Sequence, residues 1–245
     1  YVKDTTDFIN IIETLAALPL GTSIGTLDVT SLYTNIPNGE GIAVIKEKLN
    51  DIRDERLMPT NDSLIHLLEM VLNMNHIQFN RRFFMQKTGT AMGTRLAPSY
   101  ANLFMENVEK AAIESHRYKP TVWLRYIDDI FFVWTNGDDE LKEWISHLNA
   151  FHDTIKFTGE ISKTEIHFLD TTVKVDQETG KLYTDLYSKP TDVNNYLEYT
   201  SAHPISTKRS LPYSQLLRLF RICQKPEDFK KHCELKMKEF ESKGY

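Results

Sequence analysis

Three aspartates in this chain have the type and spacing to do chemistry. Asp128 and Asp129 are adjacent in Tyr126-Ile127-Asp128-Asp129, with Val122-Trp123-Leu124 before them and Ile130-Phe131-Phe132-Val133 after. Apolar runs rich in β-branched and aromatic residues, joined by a short polar step, predict a β-hairpin with both arms substantially buried and the carboxylates at its tip. Asp28 closes a second such run, Ile24-Gly25-Thr26-Leu27-Asp28, 100 positions upstream of Asp128. If the two runs pair in one sheet, three carboxylates meet at one edge and repel unless cations neutralise them. Magnesium suits such a set, because it takes hard oxygen ligands at about 2.0–2.1 Å and keeps positions for water and phosphate oxygens. Two ions about 3.5–4 Å apart would clamp an in-line phosphoryl transfer. An Asp-Asp turn that merely interrupts strand pairing reads the same way in isolation.

The surrounding elements follow from hydrophobic period and punctuation. Thr5 or Thr6 caps a first helix carrying Phe8, Ile11, Ile12 and Leu15, which ends near Pro19 and Gly21. Helices follow over Gly39 to Asn50 and from Asn61, with Leu64, Leu67, Leu68, Val71 and Leu72 at helical spacing. Ile77, Phe79, Phe83 and Met85 around Asn80-Arg81-Arg82 predict a hairpin between His76 and Gln86. Pro98 fits the first turn of a helix whose apolar stripe is Ala101, Phe104, Met105, Val108, Ala111 and Ala112. Glycines 89 and 93, just before it, allow close approach of another backbone or a ligand. After a turn at Asn136-Gly137-Asp138 comes a helix with Leu141, Trp144, Ile145 and Leu148. Ile155 to Phe157, Ile166 to Leu169, Thr171 to Val175 and Leu182 to Tyr187 read as strands, with Glu178-Thr179-Gly180 turning the last pair. Helices from about Tyr213 to Cys223 and after Pro226 complete an α+β chain.

Composition sets further bounds. A chain of 245 residues with 41% apolar content can bury a sizeable core. No apolar run reaches the roughly 18 residues that span a bilayer and no signal-peptide pattern opens the chain, so an intracellular protein is expected. Cys223 and Cys233 are too few for a disulfide framework and have no zinc-site partners at a convincing spacing, so they read as reduced structural thiols. The net charge of −5 argues mildly against a nucleic-acid partner, but the charge is unevenly spread. Residues 1–187 hold 18 basic and 27 acidic side chains, a balance of −9, whereas 188–245 hold 11 and 7, a balance of +4. A strand of phosphates would lie along the basic end; a solvated helical face is the plainer reading.

Taken in order, Asp28 with Tyr33 five residues on, then Ala91-Met92-Gly93-Thr94-Arg95-Leu96-Ala97-Pro98 with Ala101-Asn102-Leu103, then Tyr126-Ile127-Asp128-Asp129, resemble motifs A, B and C of reverse transcriptases. The wording of Asp28-Val29-Thr30-Ser31-Leu32-Tyr33-Thr34-Asn35-Ile36-Pro37 looks most like Penelope-like retroelements, whose polymerase is related to telomerase. Lys189-Pro190-Thr191-Asp192 through Tyr196, His203-Pro204 and Pro212-Tyr213-Ser214 to Arg221-Ile222-Cys223 also resemble that group.

The resemblance implies a reverse-transcriptase palm, an antiparallel sheet with helices on one face, with partial fingers and a partial helical thumb. Palm with residual fingers would occupy 1–187 and the start of the thumb 188–245. Asp28 and Asp128 would hold two Mg2+ ions, for which Mn2+ can substitute, with Asp129 and the Val29 carbonyl in support. Tyr33 would lie under the incoming sugar and exclude a ribose 2′-hydroxyl, with a core tyrosine as the plainer alternative. Met92, Gly93, Ala97 and Pro98 would shape the nucleotide floor. Met92 stands where retroviral enzymes have a nucleotide-contacting glutamine, and Thr94-Arg95 stands where many relatives have Ser-Pro. Lys163 loosely resembles the lysine that protonates pyrophosphate, although a solvated loop lysine reads the same. Arg81, Arg82, Arg95, Tyr126, Lys189, Lys208, Arg209, Arg218 and Arg221 would meet RNA template and DNA primer, with deoxynucleoside triphosphates as substrate and the nucleus as compartment. Only 27 residues precede Asp28, and neither the upstream fingers motifs nor a C-terminal nuclease domain is found, so a truncated copy or an excerpt is expected. Two rivals stand beside this reading: a catalytically silent nucleic-acid-binding module of the same fold, and another metal-dependent phosphoryl-transfer enzyme such as a nuclease.

Overall fold

The computed structural model describes residues 1–52, 54, 58–192 and 195–245; Val193 and Asn194 of the Lys189 to Tyr196 stretch lie outside the described residues. The helices are α1 (Thr5–Thr14), α2 (Leu32–Asn35), α3 (Asn38–Ile52), α4 (Asn61–Asn73), α5 (Ala97–Ser115), α6 (Asp138–Phe151), α7 (Ile205–Ile222) and α8 (Pro226–Ser242). The strands are β1 (Ser23–Val29), β2 (His76–Phe79), β3 (Arg82–Met85), β4 (Val122–Tyr126), β5 (Asp129–Trp134), β6 (Phe157–Ser162), β7 (Glu165–Phe168), β8 (Thr171–Val175) and β9 (Leu182–Leu186). They form sheets of order β4-β5-β1-β6, β2-β3 and β7-β8-β9. Two compact units result: the first is Tyr1, Leu27–Pro120 and Asp138–Gly159, the second Val2–Thr26, Thr121–Gly137 and Glu160–Tyr245.

The first unit is mainly helical. Leu32, Ile36, Val44, Leu68, Leu72, Phe104, Met105, Trp144 and Leu148 are among its buried side chains. The α5 stripe is as expected except at Ala111, which is exposed, while Glu109 is buried. Gly41 of α3 lies against Tyr100 of α5: a Cβ there would stand 1.9 Å from the Tyr100 hydroxyl oxygen. That hydroxyl has no hydrogen-bond partner among the described residues, and burial pushes its pKa up to about 12. The β2-β3 hairpin forms in the register Gln78↔Phe83 and Phe79↔Arg82, with Asn80 and Arg81 left-handed in the turn. All eight of its strand residues are exposed.

In the second unit, a core of Phe8, Ile12, Ile24, Phe131, Val133, Phe168 and Val173 gathers side chains from α1, β1, β5, β7 and β8. Phe8 meets Phe131 edge-on at 5.2 Å between ring centroids, a favoured aromatic geometry. Gly25 of β1 has no room for a side chain, since a Cβ would stand 2.3 Å from the Phe132 ring and 3.0 Å from the Glu160 carbonyl oxygen. Helix α7 is docked on β9 at its C-terminal end: fully buried Thr184 donates from Oγ1 to the Ile222 carbonyl at 2.7 Å, and its own carbonyl accepts from Gln224 N at 3.1 Å. Thr184 thus satisfies one of the carbonyls that a helix C-terminus leaves open.

Four local expectations need correction. The cap of α1 is Asp4, whose Oδ1 accepts from Asp7 N at 2.9 Å, so Thr5 and Thr6 are already helical. β4 is only half-buried, because it is an edge of its sheet. The strand expected over Ile155 to Phe157 begins only at Phe157 and runs on to Ser162. α7 starts at Ile205, not near Tyr213: Pro212 lies inside it, forgoing one backbone bond without ending an 18-residue helix.

The Gly41–Tyr100 contact gives a paired expectation. Gly41→Ala gains about 1 kcal/mol of helix propensity but overpacks the site, which costs about 1–3 kcal/mol, so net loss of stability is expected. Tyr100→Phe removes a buried, unpartnered hydroxyl and should be neutral or stabilising. Urea unfolding of both variants measures this; a Tyr100→Phe loss above about 1 kcal/mol would show that the hydroxyl is bonded after all.

Candidate active site

In the first unit the site is built where β1 ends. Leu27 and Val29 are buried while Asp28 between them is exposed, as strand alternation requires. The backbone then turns through left-handed Ser31 into the single turn α2. Asn35 Nδ2 closes that turn on the Thr30 carbonyl at 2.9 Å, and Thr30 N donates to the Lys156 carbonyl at 2.9 Å. Leu32 anchors α2 in the core, leaving Tyr33 half-buried at its surface.

The loop before α5 rests on the backbone that carries Tyr33. Thr90 N donates to the Tyr33 carbonyl at 2.7 Å. Gly89 adopts φ +73°, and a Cβ there would stand 2.2 Å from the same oxygen, so only glycine fits. Gly93, at φ +93°, has open space where a Cβ would be, so it serves the turn and not a close approach. Thr94 closes that turn onto the Ala91 carbonyl from N at 3.4 Å and from Oγ1 at 3.2 Å. Ala97 then enters the core at the start of α5, Pro98 sits exposed in its first turn, and Met92 and Arg95 are exposed in the loop.

In the second unit Tyr126 pairs with Asp129, so the hairpin loop is just Ile127 and Asp128. Ile127 is left-handed at φ 56°, rare for a β-branched residue. Arg125, only 3% exposed, donates from Nη1 to the Ile127 carbonyl at 3.0 Å and accepts at its own carbonyl from Val2 N at 2.7 Å. Asp129 is exposed, Asp128 partly so, and the next residue, Ile130, is fully buried. Two carboxylates therefore stand at the solvent end of a buried strand. Arg125 was not among the residues expected to matter; a charge inside Trp123-Leu124-Arg125-Tyr126 was the available signal.

The remaining residues are placed as follows. Arg81 and Arg82 are exposed at the β2-β3 turn, and Lys163 at the turn between β6 and β7. Lys189 follows β9 and is exposed, as are Arg209 and Arg221 on α7. Lys208 donates to the carbonyls of Tyr199 and Ser201 at 2.7 and 2.6 Å, tying down the segment before α7. Arg218 places Nε and Nη2 on Asp170 Oδ2 at 2.9 and 2.7 Å. Lys208 and Arg218 thus have structural partners within the fold. No helix among the described residues is long and apolar enough to cross a membrane.

The family described as reverse transcriptase (RNA-dependent DNA polymerase) matches residues 3–202. The one described as animal helix-turn-helix domain matches residues 195–245, which contain α7 and α8. No curated protein matches the sequence. Among solved structures, telomerase from Candida albicans in complex with a fragment of telomeric RNA is similar at TM-score 0.70 and 13% identity, over 99% of this chain and 43% of that one. Apo telomerase from Candida tropicalis truncated from its C-terminal domain gives 0.56 and 13%, over 75% and 40%. The Sicinivirus 3Dpol RNA-dependent RNA polymerase gives 0.59 and 17%, over 98% and 50%. The chain spans half or less of the length of each. The fold is therefore the α+β polymerase palm, with antiparallel strand pairs and packed helices.

The contact between Gly89 and Tyr33 can be tested without any substrate. Gly89→Ala must clear the Tyr33 carbonyl and adopt an unfavourable φ, at a cost of about 1–3 kcal/mol. Hydrogen exchange should show the Thr90 amide losing protection in this variant. Unchanged protection there, with unchanged stability, would mean that the loop does not depend on the glycine.

Proposed function

The chain belongs to the reverse transcriptase (RNA-dependent DNA polymerase) family, and we propose that it extends a DNA primer on an RNA template by two-metal nucleotidyl transfer. The observation that carries this reading is the hairpin tip, where Asp128 and Asp129 reach solvent from a strand whose next five residues are buried. Asp28, exposed between two buried neighbours on β1, has the same design. All three offer hard carboxylate oxygens, the donor type that magnesium takes.

In this reading Asp28 and Asp128 hold the ions, with Asp129 and the Val29 carbonyl in support. Magnesium held there would supply Lewis acidity to activate the primer 3′-hydroxyl and positive charge to offset that of the triphosphate and departing pyrophosphate. Arg125 fixes the Ile127 carbonyl and so the direction in which the tip carboxylates point. Tyr33, seated on Thr90 through its carbonyl, blocks the space of a ribose 2′-hydroxyl. Met92, Gly93, Ala97 and Pro98 form the floor beneath the nucleotide. Lys163 would protonate pyrophosphate from its exposed turn.

Arg81, Arg82, Arg95, Tyr126, Lys189, Arg209 and Arg221 would meet template and primer, while Lys208 and Arg218 hold the surface that presents them. Residues 1–187 would then serve as palm with residual fingers and 188–245 as the start of a thumb. The helix-turn-helix match over α7 and α8 supports a nucleic-acid-gripping role for that end. The wording of the Asp28 to Pro37 block supports an origin in a Penelope-like retroelement, and with it a nuclear site of action.

Primer extension on an RNA template with Mg2+ tests the reading. Asp128→Asn should lower the rate by at least about 10³-fold, because a metal clamp supplies several kcal/mol and each 1.36 kcal/mol is tenfold. Template-primer binding should survive that change. Tyr33→Val should admit ribonucleotides. Binding by the unaltered chain with no synthesis at all would favour a silent binding module, and Asp128→Asn at full rate would sink the metal mechanism.

A further inference from the structure

We infer that Asp185, Cys223 and His232 form a second metal site, for a single zinc-class ion, that clasps the C-terminal helix pair to strand β9. One Asp oxygen, the Cys223 sulfur and one His232 nitrogen all lie within 4.8 Å of one another. Asp185 comes from β9, Cys223 from the C-cap of α7 and His232 from the second turn of α8. The site uses none of the residues assigned to nucleotidyl transfer, so it stands or falls separately.

The polar groups themselves point to an ion. Asp185 and Cys223 are buried. Asp185 Oδ1 accepts from Leu186 N at 2.7 Å, meets His232 Nε2 at 2.9 Å and accepts from Cys223 Sγ at 3.7 Å. A carboxylate oxygen has about two lone-pair directions, so three partners overfill it and the thiol is left with a long, weak contact. An ion among the same three atoms would satisfy all of them at once. Thiolate, imidazole and carboxylate are the three donor types zinc takes, at about 2.0–2.3 Å, and three protein ligands leave a fourth tetrahedral position for water. Tetrahedral ligands at those lengths stand roughly 3.3–3.8 Å apart, so closure needs side-chain shifts of about 1 Å or less.

The outer shell is also in place. Lys174 Nζ holds Asp185 Oδ2 at 2.9 Å, which keeps that oxygen out of the coordination set and fixes the carboxylate's orientation. Carboxylate and thiolate together balance the divalent charge, and binding releases the thiol proton to water. Cys223 also borders an open pocket of about 450 Å³ with Glu13, Leu182, Phe220, Arg221 and Gln224. A thiolate selects against magnesium, so the ions of the proposed polymerase centre would not compete here.

The test uses the full chain, stripped with a chelator and kept in excess Mg2+. Titration with Zn2+ against a chromophoric chelator should give one ion per chain, and Co2+ should produce the charge-transfer absorption that only a thiolate ligand gives. Cys223→Ser should abolish that band, and His232→Asn should weaken binding by more than the roughly 10–100-fold that loss of an outer partner costs. Cys233→Ser should leave both unchanged. Should Cys223→Ser fail to fold, the partly exposed His232→Asn decides. No thiolate band, a band that follows Cys233, or undiminished zinc affinity in His232→Asn would overturn the inference, whatever the outcome of primer extension.

Discussion

Strand β5 is the constraint on which the second unit depends. Ile130, Phe131, Phe132, Val133 and Trp134 are each at most 1% exposed, so the strand is buried on both faces. At about 1.5–3 kcal/mol for each large side chain withdrawn from water, such a strand cannot carry a charge along its length without giving up much of its worth. Carboxylates can stand only at its end. The step from exposed Asp129 to fully buried Ile130 is therefore abrupt, and a two-residue loop with a left-handed isoleucine turns the chain there. That conformation costs of order 1–3 kcal/mol, which the burial of β5 and the bond from Arg125 to Ile127 can offset. Gly25 is a further consequence: the Phe132 ring already fills the space its side chain would need.

The first unit reaches a comparable result by a different route. Beyond Asp28 at the end of β1, Tyr33 and the glycines lie on a one-turn helix and a loop, neither of which is rigid alone. Asn35 fastens one end of the helical turn, buried Leu32 fixes its inner face, and the Thr90 amide fastens the Tyr33 carbonyl. Gly89 makes the last contact sterically possible. A sugar-facing tyrosine placed this way would be held through its backbone, leaving the ring's own surroundings to decide what it excludes.

Where period and punctuation were strong, the sequence could be read directly: α3 to α6, the hairpin between His76 and Gln86 and strand β8 lie where expected. Two of the misreadings share a cause, in that the deciding information was not local. Pro212 looked like a helix boundary, but a helix of 18 residues docked on β9 through Thr184 and Gln224 tolerates one lost bond. Val122 to Tyr126 looked as apolar as β5, yet its place at a sheet edge leaves it half in water. The aspartates, Tyr33 and the glycine loop were singled out by the sequence because their order along the chain is itself a pattern. Arg125 and the Asp185, Cys223 and His232 cluster were not. Residues 185, 223 and 232 come from three elements, and no spacing rule joins a strand aspartate to a cysteine 38 positions later.

Charge shows the same separation between count and placement. The +4 balance of residues 188–245 suggests a surface for phosphates, but several of those cations already have anionic or carbonyl partners. Arg218 sits on Asp170, Lys208 on two carbonyls, Lys243 on Glu198 at 2.7 Å, and Lys236 on Glu239 at 2.8 Å with only 6% of its surface exposed. Lys208 and Lys243 fasten Glu198, Tyr199 and Ser201 ahead of α7, and none of these four cations adds to a free positive face. Each phosphate neutralised by a basic side chain steepens the dependence of binding on salt, so a net charge is a poor guide to affinity while placement is a good one. Under the proposed function, a chain of net charge −5 would rely on a few well-placed arginines and on divalent ions at its carboxylates. That dependence is why the exposed aspartates at the ends of β1 and of the β4-β5 hairpin, and not the basic C-terminal count, carry the functional argument.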